Sequence, residues 1–415
     1  MNSEFVLNST LSNMADYASK TISTKAKQSP TMIKLCFGEP EFGPPEYMKE
    51  EINRFLTYNS FIESVKSYEN SRGSLELRQT IADWYKRRYN INIDPETEIM
   101  VTHGGVEAIT LAILVTSELS GKVAITDPSY MLYKRAIENL GRQPVILRRD
   151  TTDRQYSNLL SNSYEVEKLA KASAIIINSP ENPSGYVLSK QEWSDINQYA
   201  CSNNLWVIHD EVYDTMAFDR KHTPFNKEHS LIINSFSKKF GIPGIRVGWL
   251  IGNRDVINLA SRAHDYHYLG VNQQYEKIAN ILLSNSKNDD WFSQVSQKIQ
   301  SRINWALVEL GSDQGFEWSR RPMGAMFLFP NINGLYQFIS PYYREKFTSP
   351  GEAVAQFLMN ELDIAVVPGF SYGQGSEHYI RMVLCGSDSE YDEAINRLSC
   401  LKIDKKSKIV AMSQV

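Results

Sequence analysis

The chain has 415 residues, of which 42% are apolar and 22% are charged, and its formal net charge is -4. This length allows two or three domains, or one large domain with a smaller one attached. Because lysine and arginine are not in excess, the composition argues against nucleic acid and against an anionic membrane surface as partners. The four cysteines are widely spaced without a C-x-x-C pair, which indicates reduced thiols and predicts no metal site.

The N-terminal segment carries no export signal. It lacks a basic stretch followed by an apolar core, and no apolar run in the chain reaches the roughly 20 residues that cross a bilayer. We therefore expect a cytoplasmic protein that does not enter the membrane.

In the middle of the chain, short β-branched runs alternate with segments that are long enough to form a helix. The runs are almost continuously apolar, as in strands that are covered on both faces. This alternation predicts an α/β fold with a mostly parallel, seven-stranded sheet and helices on both faces. The predicted strands are 99–103, 122–126, 144–148, 173–178, 205–209, 231–234 and 247–251.

The flanking segments predict a second, smaller unit. After about residue 291, long helical patterns lead to the strand-like runs "GAMFLFP" and "DIAVVPG". We predict an N-terminal arm with part of the small domain in residues 1–55, a large domain in 56–290, and a small α+β domain in 291–415.

Glycine and polar residues follow the predicted strands, where ligands bind in open parallel sheets. Gly104 and Gly105 either form a plain turn or open a helix whose amides and dipole suit a phosphate. Tyr130 offers a flat ring to a planar ligand, or packs on a helix as an ordinary tyrosine. Asn182 stands in an Asn-Pro turn that fixes a side-chain amide.

Two further strands end in groups that suit a heteroaromatic ligand. Asp210 can hold a protonated ring nitrogen or cap a helix, and Tyr213 follows it by three residues. The stretch "SFSKKFGIPGIRVGW" offers the hydroxyl of Ser235, the amine of Lys238 and the guanidinium of Arg246. Together these groups describe a site for a flat, phosphorylated pyridine aldehyde, which is pyridoxal 5′-phosphate (PLP).

These motifs, in this order, resemble those of the class I/II aminotransferase family, the fold-type I PLP enzymes typified by aspartate aminotransferase. The resemblance runs from "GEPEFGPP" to "YIRMVL" and covers most of the chain. It implies a transferase of amino-acid metabolism that moves an amino group from an L-amino acid to a 2-oxoacid. It also implies a homodimer.

The resemblance implies roles for the catalytic groups. Lys238 falls on the Schiff-base lysine, and Asp210 falls on the acid that pairs with the pyridine nitrogen. Asn182 and Tyr213 fall on the pair that binds the phenolic oxygen of the cofactor, and Tyr130 falls on the ring that stacks on the pyridine.

The resemblance also implies the phosphate and substrate contacts. The phosphate would be held within the subunit by Gly104, Gly105, Val106, Ser235 and Arg246. Tyr68, in "YENSRGS", would reach the phosphate of the partner subunit, so that each active site is composite. Arg381 in "YIRMVL" would bind the substrate α-carboxylate, with Asn182 beside it and Gly38 in a strip that closes over it.

Some positions depart from the family pattern. Ser184 replaces the usual threonine of "NPTG", and Glu276 stands near an expected glutamine. His267 lies near the position of the arginine that binds a second carboxylate, so a dicarboxylic donor is not implied. Candidates for the side-chain pocket, chosen by neighbourhood, are Phe37, Tyr58, Phe61, Tyr266, His267 and Tyr268.

The cofactor is better determined than the reaction. The same residues would serve β- or γ-elimination, cyclisation or oxidation of an amino acid. A non-catalytic module is disfavoured because the lysine and the aspartate are both present, and a dehydrogenase because no G-x-G-x-x-G follows a strand.

Of the two adjacent lysines, the spacing to Ser235 and Arg246 selects Lys238. In an extended segment Lys239 would point the opposite way, adding positive potential or meeting solvent.

Overall fold

The computed structural model describes residues 7–149, 156–224, 228–404 and 409–412, in which helices and strands alternate. The strands, β1 to β14 in chain order, are Ile33–Lys34, Ile99–Thr102, Lys122–Asp127, Gln143–Arg148, Ala174–Asn178, Trp206–Asp210, Ser230–Ser235, Gly248–Ile251, Phe327–Leu328, Ile364–Ala365, Val367–Pro368, Ile380–Val383, Leu401–Asp404 and Ile409–Met412. The α-helices, α1 to α18, are Ser9–Ser12, Ala18–Ala26, Lys49–Phe55, Tyr58–Val65, Leu75–Tyr89, Gly104–Thr116, Met131–Asn139, Tyr156–Ser161, Ser163–Leu169, Lys190–Ser202, Phe236–Lys239, Arg254–His267, Gln273–Ser284, Asn288–Glu309, Asn333–Phe338, Pro341–Lys346, Pro350–Leu362 and Asp388–Ser399. Short 3-10 turns cover Glu46–Met48, Pro243–Ile245, Gly369–Tyr372 and Gln374–Ser376.

Seven of these strands form one sheet in the order β2-β8-β7-β6-β5-β3-β4. β8 runs antiparallel to both of its neighbours, and the other neighbouring pairs are parallel. The predicted sheet is therefore confirmed, and each predicted strand end lies within one residue of the observed end. The chain passes from β3 outward to β4 and then returns to the other side of β3 as β5, which makes a switch point between β3 and β5.

Both faces of the sheet are apolar because neighbouring residues of a strand point to opposite sides. In β5, Ile175 and Ile177 pack into one buried cluster, and Ile176 packs into another. Residues of α10 complete the first cluster, and residues of α6 and α12 complete the second. The predicted helices on both faces of the sheet are confirmed.

The N-terminal segment and the last part of the chain form a second body of structure. β9, β12 and β11 make a small antiparallel sheet, and β1 pairs in parallel with β10. One apolar cluster joins Ile33 and Leu35 to residues of α14, α17 and α18. This packing supports the shared small domain, while the divisions at residues 55 and 290 stay predictions. The predicted domains include residues outside the described part of the chain, which are 1–6, 150–155, 225–227, 405–408 and 413–415.

No helix in the described part of the chain combines the length and the apolar character that crossing a bilayer would need.

Candidate active site

The candidate site lies at the carboxyl edge of the large sheet, beside the switch point. β5, β6 and β7 are neighbours, so their last residues, Asn178, Asp210 and Ser235, lie along one edge. Asn178 donates through Nδ2 to the Asp210 carbonyl at 2.9 Å, and its Oδ1 accepts from the Asn182 amide at 2.7 Å. The sheet thus brings three of the predicted residues, Asn182, Asp210 and Ser235, to the same edge.

Lys238 lies in the short helix α11, which begins just after Ser235. The Ser235 hydroxyl accepts from the Ser237 amide at 3.1 Å and caps this turn. The Lys238 amine donates to the Gly38 carbonyl, and a Cβ at residue 38 would lie only 3.3 Å from Nζ. Glycine therefore permits the close approach of the two segments. Burial lowers the pKa of Lys238 to about 8.

A cradle for an anion lies between the start of α6 and Arg246. Gly104 has a φ of 74°, and a Cβ there would lie 2.6 Å from Arg246 Nη2. A Cβ at Gly105 would lie 3.7 Å from Ser235 Cβ. The free amides of the helix start, the Ser235 hydroxyl and the guanidinium therefore converge in a way that fits a phosphate. Val106, in the same turn, has an exposed side chain.

Asp210 is almost fully buried, and burial raises the pKa of its carboxyl to about 6. Tyr133 donates its hydroxyl to Asp210 Oδ2 at 2.6 Å, and the Val212 amide donates to Oδ1 at 3.2 Å. Tyr133 was not among the predicted site residues. Its position three residues after Tyr130 could have indicated it, because this spacing places the two rings on one side of the chain at the start of α7. The two rings pack edge to face, with centroids 5.4 Å apart.

Arg381, on β12 of the smaller sheet, reaches the edge of the large sheet. Its Nη1 donates to Asn182 Oδ1 at 3.1 Å, and its Nη2 donates to the Cys36 carbonyl at 2.8 Å. Its guanidinium carbon lies 4.9 Å from the centre of the Phe327 ring, on which Tyr213 also packs edge to face. The buried Nε of Arg381 has no hydrogen-bond partner among the described residues. It leaves a donor for an incoming carboxylate.

Tyr17, in the N-terminal arm, is a second residue that the sequence did not reveal. Its hydroxyl lies 2.6 Å from the hydroxyl of Tyr130. No local pattern signals this contact, because the two residues are 113 positions apart. Both rings line a cavity of about 850 Å³, together with Tyr372 and Arg148.

Several predicted residues lie on the surface instead of in this arrangement. Tyr68 is 82% exposed, and no hydrogen bond of the described residues joins it to the other predicted site residues. Tyr58 and Tyr266, two candidates for the side-chain pocket, are 77% and 93% exposed. None of the six candidates for that pocket lines the cavity beside Tyr130. Their roles stay predictions.

The predicted contact of Lys239 with solvent was wrong. Lys239 is fully buried, and its amine pairs with the carboxylate of Asp214 and lies 4.2 Å from the centre of the Trp84 ring. The error came from treating the segment as extended, whereas Phe236–Lys239 is helical. Successive side chains of a helix differ by about 100° around its axis, so neither lysine needs to face solvent.

Three buried side chains with metal-binding chemistry lie near this turn. Ligand atoms of His209, Glu211 and His222 lie within 4.8 Å of one another. His222 Nε2 lies 2.8 Å from Glu211 Oε2, while Glu211 Oε1 accepts from the Tyr85 hydroxyl and from Asn234 Nδ2. Protein groups thus bond to both oxygens of the carboxylate, and the absence of a metal stays a prediction.

The sheet and the groups at its carboxyl edge define the class of fold-type I PLP enzymes. Residues 30–398 match the family described as "Aminotransferase class I and II", and the chain belongs to this family. An aspartate aminotransferase of Pyrococcus horikoshii is 29% identical over 382 residues, which are 90% of this chain and 91% of that protein. A probable N-acetyl-LL-diaminopimelate aminotransferase of Bacillus subtilis is 26% identical over 393 residues, 93% of each chain. The solved structure of N-succinyldiaminopimelate aminotransferase from Mycobacterium tuberculosis has a TM-score of 0.82 at 26% identity, covering 95% of this chain and 99% of that one.

Family membership establishes a PLP-dependent aminotransferase that acts on an amino acid and a 2-oxoacid. When bound, PLP supplies an aldehyde that condenses with amines and a ring that takes up an electron pair. The residues fit this cofactor: the cradle beside Arg246 suits its phosphate, Asp210 suits its ring nitrogen, and the Lys238 amine suits its aldehyde.

Proposed function

We propose that Lys238 binds the PLP aldehyde and transfers the proton that interconverts amino acid and oxoacid. The observation that carries this proposal is a buried amine at the carboxyl edge of the sheet, whose pKa of about 8 leaves part of it neutral near physiological pH. A neutral amine acts both as a nucleophile and as a general base. Once an amino acid has taken its place, the Lys238 amine would remove the proton from the substrate Cα and would carry it for the second half of the transfer.

Asp210, Asn182 and Tyr213 have the supporting roles in this proposal. The Asp210 carboxylate keeps the pyridine nitrogen protonated, so that the ring accepts the electron pair left at Cα. Asn182 and Tyr213 bind the phenolic oxygen, which is consistent with a buried tyrosine at the carboxyl edge of the sheet.

Arg381 binds the substrate α-carboxylate in this proposal. The unpartnered Nε and the fixed position of the guanidinium beside Asn182 support this role. Anchoring the carboxylate orients the Cα–H bond toward the ring and so favours proton removal over loss of another group.

The test is the substitution Lys238→Ala. We expect the purified variant to lose the visible absorption band of lysine-linked PLP and all measurable transamination. Lys190→Ala, which removes an exposed lysine at the start of α10, is the matched control and should keep both. A lysine-linked band that persists in Lys238→Ala would refute the role of Lys238.

The alternative reactions of PLP are not favoured, because the similar proteins are named aminotransferases. Transamination and the alternative reactions differ in the form of the cofactor that remains after one turnover. Transamination leaves the pyridoxamine form of the cofactor, and only an added 2-oxoacid restores the starting spectrum. Release of ammonia without an acceptor would instead indicate elimination or oxidation. A panel of amino donors, with products identified by mass, would then name the substrate.

We also propose a cytoplasmic homodimer with composite active sites. Exposed apolar side chains from α4 and from the end of α12 lie on neighbouring segments, which are joined by a hydrogen bond from Gln273 Nε2 to the Ser67 carbonyl at 2.8 Å. A surface of this kind suits contact with a second subunit. The four free cysteines are consistent with a reducing compartment.

A further inference from the structure

A buried ion pair joins the residues that follow two of the proposed catalytic groups. Lys239 follows Lys238, and Asp214 follows Tyr213. Lys239 and Asp214 are 0% and 2% exposed. The Lys239 amine donates to Asp214 Oδ1, and the Tyr89 hydroxyl donates to Oδ2 at 2.8 Å. The pair therefore connects the turn that carries Lys238 to the turn that follows β6.

The surroundings hold this pair in one arrangement. The Lys239 amine lies 4.2 Å from the centre of the Trp84 ring, within the range of a cation–π contact. The backbone amide of Asp214 donates to the Glu211 carbonyl at 2.9 Å, which fixes the turn itself. Moving either charged group would separate the two charges inside a buried site, which is costly, so the pair tolerates little displacement.

A second contact joins the same two segments. Glu211 directly follows Asp210, and Asn234 directly precedes Ser235. Asn234 Nδ2 donates to Glu211 Oε1 at 3.1 Å. The ends of β6 and β7 are therefore linked twice, by side chains adjacent to the proposed catalytic groups.

Stability alone does not account for the pair. Two charges are costly to desolvate, and apolar residues of similar volume often replace a buried ion pair without loss of stability. An ion pair does, however, impose a direction and a distance. Among the charged groups that act on the Lys238 amine are Arg381, Glu39 and Arg246. The Lys239 amine is held by Asp214, so its connection to Lys238 runs through the backbone.

We propose that Lys239 and Asp214 are positioning residues, which fix the Lys238 amine relative to Asp210 and Tyr213 for proton transfer. This inference rests on the proposed role of Lys238. An error of about 1 Å in such an arrangement lowers a rate by as much as about 100-fold. The pair therefore affects kcat more than substrate binding.

The experiment compares variants that separate geometry from charge. Lys239→Met with Asp214→Asn removes both charges at similar volume and removes the link. Lys239→Gln keeps a donor to Asp214. Ile196→Ala is a destabilised control, because Ile196 lies on α10 in a buried cluster that does not include the pair. Each holoenzyme is measured for kcat, KM, thermal stability, PLP dissociation constant and the visible circular dichroism of bound PLP.

We expect the double variant to bind PLP with a melting temperature no lower than that of Ile196→Ala. Its kcat should fall by about 10- to 100-fold, its KM should change by less than about 3-fold, and its visible circular dichroism should be reduced. Lys239→Gln should recover most of the kcat, and Ile196→Ala should keep it. If the double variant does not fold, the test rests on the kcat of Lys239→Gln. It is compared with the kcat of the wild type under conditions in which both proteins are equally stable.

Wild-type kcat and circular dichroism in the double variant would overturn the positioning role. So would a folded Lys239→Gln enzyme with a kcat as low as that of the double variant. These results differ from failure of the proposed function, in which Lys238→Ala would retain the lysine-linked band whatever the variants at Lys239 do.

Discussion

The Asp210 carboxyl is subject to two opposing effects. Burial raises its pKa to about 6, while hydrogen bonds from the Tyr133 hydroxyl and the Val212 amide favour its charged form. This pKa lies close enough to neutral pH that the loss of one hydrogen-bond donor changes the ionised fraction of the carboxyl. Tyr133, which touches Asp210 directly, is the side chain through which this ionisation can be altered.

Tyr133→Phe should shift the pH dependence of the reaction. Without the hydroxyl, the pKa of Asp210 rises above about 6, so more of the acid is protonated at pH 7. A hydrogen bond to a charged group is worth about 1.5 kcal/mol or more, which corresponds to about one pH unit. We expect the acid limb of the plot of kcat against pH to move upward by about that amount, with little change at pH 8.5.

The matched control for this prediction is Tyr343→Phe, which removes the hydroxyl that donates to Glu361 at 2.5 Å in the smaller part of the protein. Its pH profile should coincide with that of the wild type. An unshifted acid limb in Tyr133→Phe would show that this hydroxyl does not control the charge of Asp210.

At the scale of elements, one buried carboxyl attaches α13 to the start of α5, close to Tyr68 in sequence. Glu276, in the first turn of α13, accepts from the Ser74 amide at 3.0 Å, and Ser74 caps α5. A Cβ at Gly73 would lie 2.4 Å from Glu276 Oε1, which requires glycine there. Burial raises the pKa of Glu276 to about 8. A protonated Glu276 has a donor and an acceptor, as the glutamine implied by the resemblance would have.

Glu276→Gln should change the dependence of stability on pH. The pKa is about 8 in the folded chain and near 4.5 in the unfolded chain. Between these values the unfolded chain releases a proton that the folded chain retains. The free energy of unfolding therefore falls as pH rises from about 4.5 to about 8, by up to about 1.4 kcal/mol per pH unit, and the effect is constant above that range.

We expect the glutamine variant to show a flatter profile than the wild type between pH 5 and pH 8, and to be the more stable protein at pH 8. Urea denaturation at several pH values measures this difference. Glu51→Gln, at an exposed position on α3, is the control and should follow the wild type. Parallel profiles for Glu276→Gln and wild type would contradict a buried, protonated Glu276.

For the whole molecule, the sequence was informative where local pattern and tertiary structure agree. The seven strands of the sheet were predicted because they are short, largely apolar runs, most of them separated by helical segments. Asp210 was predicted because it directly follows such a run, and Lys238 because of its spacing to Ser235 and Arg246. Tyr17 and Tyr133 were missed, and Lys239 was misplaced. Their environments depend on contacts with distant segments or on a single helical turn, which alternation along a strand cannot reveal.

Tyr68 bears on how the two subunits of the proposed dimer would combine into active sites. It is exposed on its own subunit, and no hydrogen bond of the described residues joins it to Gly104, Ser235 or Arg246. The resemblance predicts that its hydroxyl reaches the phosphate bound in the partner subunit. Loss of one hydrogen bond to a charged group weakens binding by about 10- to 100-fold, so Tyr68→Ala should raise the PLP dissociation constant by this factor.

A mixing experiment decides which subunit Tyr68 serves. We expect Lys238→Ala to be inactive, and Tyr68→Ala to be nearly inactive at PLP concentrations far below its dissociation constant. In a mixed dimer with composite sites, one site contains both Lys238 and Tyr68, and the other contains neither. Random reassociation of equal amounts makes half of the dimers mixed, so about a quarter of the wild-type activity should return. Arg246→Ala mixed with Lys238→Ala is the control, because Arg246 lies beside Gly104 of its own subunit and no complete site can form. Recovery no greater than this control would place Tyr68 outside the partner's site.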